Sequence, residues 1–98
     1  MRHTRFEVAS LAVEGVPLPL KAAYLLVAES DGTDQVQWEC LAYGLHPAPL
    51  APGRYRVAMT TLEGRVLTGD AVRVRSVEGA HVLRGDGPLD GVTASDLA

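Results

Sequence analysis

Side-chain polarity in this chain alternates every second residue, and glycine or proline interrupts the alternation wherever a strand would have to end. A period of two sends successive side chains to opposite faces of extended backbone, whereas a helix lying on a core needs a period near 3.6. Six strands follow, near 4–14, 19–29, 35–43, 54–62, 65–76 and 80–85. They are joined by Gly15-Val16-Pro17, Ser30 to Asp34, the stretch Gly44 to Gly53, Glu63-Gly64 and Glu78-Gly79. The proline-rich run from His46 to Pro52 cannot continue a ladder and divides the strands three and three.

The expected fold is all-β: a small six-stranded antiparallel barrel or two-sheet sandwich built from sequential hairpins, with the barrel preferred. The 98 residues make one domain, ordered over about 3–90, with 91–98 as a flexible tail. The segment 20–28 also reads as a helix, with proline before it and Asp31-Gly32 after it. Strand is favoured because a hairpin over Ser30 to Asp34 pairs Ala28 with Val36, Leu26 with Trp38, Tyr24 with Cys40 and Ala22 with Ala42, making one face wholly apolar.

In the second half, a two-residue turn at Glu63-Gly64 sets Tyr55 opposite Val72 and Met59 opposite Thr68. The turn at Glu78-Gly79 sets Val74 opposite Leu83 and His81 next to Ser76. Thr68 and Asp70 then fall on the inner face, where a bulge at Gly69 would turn Asp70 out. The first strand changes parity between Phe6 and Val8 and Leu11 and Val13, which calls for a bulge or bend near Ala9-Ser10.

Composition bounds the function. A hydrophobic fraction of 47% and a mean hydropathy of +0.08 are those of a chain that folds. No apolar run reaches the roughly 18 residues of a membrane span, and no apolar leader opens the chain, so it reads as cytoplasmic and without a membrane partner. Cys40 is the single cysteine, which excludes an internal disulfide. The net charge of −3 argues against nucleic acid as a partner.

Motifs for catalysis, cofactors or metals are missing: there is no phosphate loop, no nucleophile elbow and no histidine pair at ligand spacing. His3, His46 and His81 are scattered, and Asp86, Asp90 and Asp96 among glycines read as solvated turns. Two surfaces stand out. Arg54, Arg56, Arg73, Arg75 and Arg84 fall on one outward face, either compensated by carboxylates of the same chain or offered to an acidic protein partner. Ala23, Leu25, Val27, Leu41 and Tyr43 fall on an apolar outer face, either covered by 44–53 or the tail, or paired with a second copy as a homodimer.

The leading expectation is a non-catalytic protein-interaction or assembly module that self-associates and presents an arginine-bearing sheet face to an acidic partner. The alternative is a small-ligand-binding barrel or minor enzyme, with Tyr24, Trp38, Tyr55 and Met59 lining a cavity. Six strands speak against that, since a barrel so narrow is filled by its own side chains.

Overall fold

A computed structural model describes residues 2–29 and 35–97. The strands are β1 (His3–Val13), β2 (Val16–Leu18), β3 (Leu20–Glu29), β4 (Val36–Gly44), β5 (Arg54–Thr61), β6 (Val66–Val77) and β7 (Ala80–Asp90), followed by a 3-10 turn at Ala94–Asp96. Segment 20–28 is strand, and the turn expected over Ser30 to Asp34 lies outside the described residues. Every pairing is antiparallel, and the order β1-β3-β4-β7-β6-β5 returns to β1, giving a closed six-stranded barrel with β2 as one extra strand. Among the described residues no helix is long and apolar enough to cross a membrane.

Closure depends on the bend in β1. Its first half pairs with β3 and its second half with β5, and the register shift falls between Val8 and Ser10, with Ala9 the extra residue. That is the parity change visible in the sequence. Glu14 and Gly15, both at positive φ, then make a tight turn that folds β2 back on β1, where a longer turn through Pro17 was expected.

Three registers differ from the expected ones. Trp38 faces Val27 and Cys40 faces Leu25, so β3 is displaced by one residue and Ala23, Leu25 and Val27 point into the barrel. At the next hairpin, the Thr61 N–H donates to Arg65 O across a three-residue loop with Gly64 at φ 90°, so Met59 faces Leu67 and Tyr55 faces Ala71. Leu67, Gly69 and Ala71 therefore point inward, while Thr68 and Asp70 point outward with no distortion of β6 against β5. The irregularity is on β7, where Asp86, Gly87 and Pro88 bulge opposite Asp70. The Glu78-Gly79 turn forms as expected, but Val74 is an extra residue, so Arg73 and not Val74 faces Leu83.

The core is filled by Leu11, Leu25, Val27, Trp38, Cys40, Val57, Met59, Leu67 and Leu83. Trp38 fits only because β6 and β7 carry glycine where its ring passes, at Gly69 and Gly85, and its indole N–H donates to Gly87 O at 3.1 Å. One barrel end is crossed by the 45–53 strap, held by Leu45 N–H on Pro19 O (2.9 Å), Leu50 N–H on Ser76 Oγ (2.7 Å), Arg73 N–H on Gly53 O (3.0 Å) and Tyr55 O–H on Ala51 O (2.6 Å). The C-terminal segment closes on the fold and is not a frayed tail through residue 97. Leu97 is buried in the core and Asp96 pairs with Arg65 at 2.6 Å, which holds the Asp96 carboxyl below the usual carboxylate range.

Candidate interaction face

The ladder pairings carry one continuous outward row across five strands. Glu7 on β1 faces Tyr24 on β3, Tyr24 faces Leu41 on β4, Leu41 faces Val82 on β7, and Val82 faces Arg75 on β6. One row along the strands, Ala22, Tyr43, Ala80 and Val77 follow one another in the same way. Tyr43 is 44% exposed, Val77 48% and Val74 45%, and Leu26 one row over 40%, while Tyr24, Leu41 and Val82 between them are half-buried, so the apolar exterior is partly open to solvent. Its aromatic part is ordered: Tyr24 and Tyr43 meet edge to face with centroids 6.4 Å apart, and the Arg5 guanidinium lies 4.3 Å over the Tyr24 ring.

This face keeps Leu41 and Tyr43 from the expected apolar patch and replaces the contributors from β3. Ala23, Leu25 and Val27 are core residues and cannot form a surface. Tyr24 and Leu26, placed inside by sequence reasoning, are the side chains that belong to the face. A signal was present in β1: Phe6 and Val8 fix its inner parity, and Phe6 faces Leu25.

The arginines do not make an open basic row. Arg54 pairs with Asp70 (3.1 Å) and Asp86 (3.2 Å), Arg56 with Asp70 and Asp90 (both 3.6 Å), and Arg84 with Glu39 (3.8 Å). Asp70 faces Arg56 and Glu39 faces Arg84 in regular ladders, and the irregularity on β7 adds Asp86, so the compensation comes from the chain itself. Arg73 leaves the row because the odd positions of β6 point inward from Leu67 through Gly69 and Ala71, so Arg73 follows them and its Nε is buried without a hydrogen-bond partner. Arg75 remains exposed.

Cys40 is fully buried, and burial pushes its thiol up to about 12, so it is no nucleophile in the folded chain. Among the described residues no group of three histidine, cysteine or acidic side chains could hold a metal ion. Trp38 and Met59 are packed core side chains, Tyr24 is outside and Tyr55 is tied to the strap, so these four do not line a common cavity. An open groove of about 1010 Å³ runs past Arg5, Leu26, Trp38, Glu39 and Arg84. Its cations are engaged with Tyr24 and Glu39, and its indole N–H with Gly87.

His81 does sit beside Ser76, with Nδ1 2.7 Å from the hydroxyl. Since Leu50 N–H already donates to Ser76 Oγ, the hydroxyl proton is free to go to the neutral imidazole, and the pair pins the strap. Burial holds the His81 pKa below its ordinary 6.5. The unfolded chain therefore takes up a proton where the folded chain does not, and stability falls as pH is lowered from 6.5 toward the folded value. Urea midpoints at about pH 7.5 and about pH 5.5 are expected to show the drop, and His81→Gln is expected to shrink it.

Compared with known proteins, the sequence matches no family model, and no similar curated protein or solved structure is found.

Proposed function

We propose that this barrel is a non-catalytic protein-interaction or assembly module that docks through the exterior of β3, β4, β7 and β6. The observation that carries the reading is the continuous apolar exterior centred on Leu41 and Tyr43, on a sheet face where solvated positions are ordinarily polar. Tyrosine on rigid strands suits such a role, because it offers a large contact area with little rotamer freedom to lose. An acidic partner on the arginine face has less support, because Arg54, Arg56 and Arg84 are already paired.

A photo-crosslinking residue introduced at Tyr43 and, as a control, at Glu63 in the β5–β6 loop tests the reading in the source cells. Protein adducts are expected from position 43 and not from position 63. Equal yields at both positions, or none at 43, would exclude this face as the docking surface.

A further inference from the structure

The partner can be specified, given that the face docks protein at all. We infer that it is a second copy of this chain, related by a two-fold axis running along β4. The charges that end the central row set the orientation. Glu7 and Arg75 are both exposed, and neither makes an ion pair or side-chain hydrogen bond among the described residues, whereas Arg84 holds Glu39 and Arg5 is stacked on Tyr24. They stand at opposite ends, with Tyr24, Leu41 and Val82 between them and Leu41 in the middle.

Four strand spacings put them about 19 Å apart. Face-to-face packing of two identical surfaces needs a two-fold axis lying in the contact plane. An axis along β4 lays Leu41 on the partner's Leu41, Tyr24 on the partner's Val82, and Glu7 on the partner's Arg75, so both charge pairs are made at once. An axis running across the strands instead sets Glu7 on the partner's Glu7 and Arg75 on the partner's Arg75, which is repulsive at both ends. The unpaired charges thus select a single dimer. The dimer is expected to form in the micromolar range, as small or transient interfaces do.

Sedimentation equilibrium on the purified chain, with Glu7→Arg, Arg75→Glu and the double exchange, tests this. Wild type is expected to dimerise, each single exchange to weaken association by about tenfold or more through like charges at both ends, and the double exchange to restore most of it. Thermal melts check that the exchanges, all at exposed positions, leave the fold intact. Tyr43→Cys, close to the axis, is expected to form an intermolecular disulfide under mild oxidation. Crosslinks from position 43 to a different protein, with wild type monomeric at high micromolar concentration, would overturn the two-fold dimer and leave the docking reading standing. A double exchange no better than the singles would overturn the axis along β4.

Discussion

Leu25→Asp is expected to unfold the protein, while Leu26→Asp leaves it folded. The two positions are adjacent, and they differ only in which way β3 turns them. Leu25 is fully buried beside Phe6 and Cys40, so a carboxylate there loses its hydration with no partner to replace it. Penalties of this kind run to about 4 kcal/mol or more, a large part of the roughly 5–15 kcal/mol that holds a domain of this size together. Leu26 is 40% exposed, and a carboxylate there stays in water at a cost of about 0.5 kcal/mol or less. Circular dichroism and urea titration of the two variants decide the matter. A folded Leu25→Asp beside an unfolded Leu26→Asp would mean that β3 has the opposite parity, and the face described above would disappear.

The second large effect is expected at Gly85. A β-carbon there would lie on the Trp38 indole, 2.6 Å from Cδ1 and nearer still to Nε1, and the ring also passes close over Gly69, where a β-carbon would lie 2.7 Å from Cζ2. Gly85→Ala is therefore expected to cost about 3 kcal/mol or more, combining overpacking with loss of the indole bond to Gly87. Trp38→Phe removes the atoms in conflict. In that background Gly85→Ala should cost far less, and a double-mutant cycle in denaturant measures the difference. Equal costs in both backgrounds would show that the glycine is required for some other reason.

The six barrel strands, the bend at Ala9 and the tight turn at Glu78-Gly79 were legible because alternation and turn residues are local properties, whereas the short β2 and the run of β7 past residue 85 to Asp90 were not. Strand parity in β3 was not. Ala22 to Ala28 is apolar on both sides, so alternation gives no vote, and Lys21 gives a false one. A charged residue at an odd position implies that odd positions face solvent. Lys21 instead sits at a register shift between Leu20 and Ala22, so its outward direction says nothing about Ala23, Leu25 and Val27. The β5–β6 error has a similar origin, because Glu63-Gly64 looks like a two-residue turn while Leu62 belongs to the loop as well. That one-residue difference exchanged the faces of Thr68 and Leu67. The ion pairs of Asp86 and Asp90 depend on an irregularity of β7 that no local pattern announces, while those of Asp70 follow from the longer β5–β6 loop.

The sheet order begins with β2, three residues long with Pro17 at its centre. A proline has no N–H to offer an incoming strand, and so short a border gives a newcomer almost nothing to zip onto. Edge-on growth into a fibre is discouraged at that border by the backbone itself. A molecule guarded this way can still meet others broadside, and a broadside contact built on a two-fold stops at a pair.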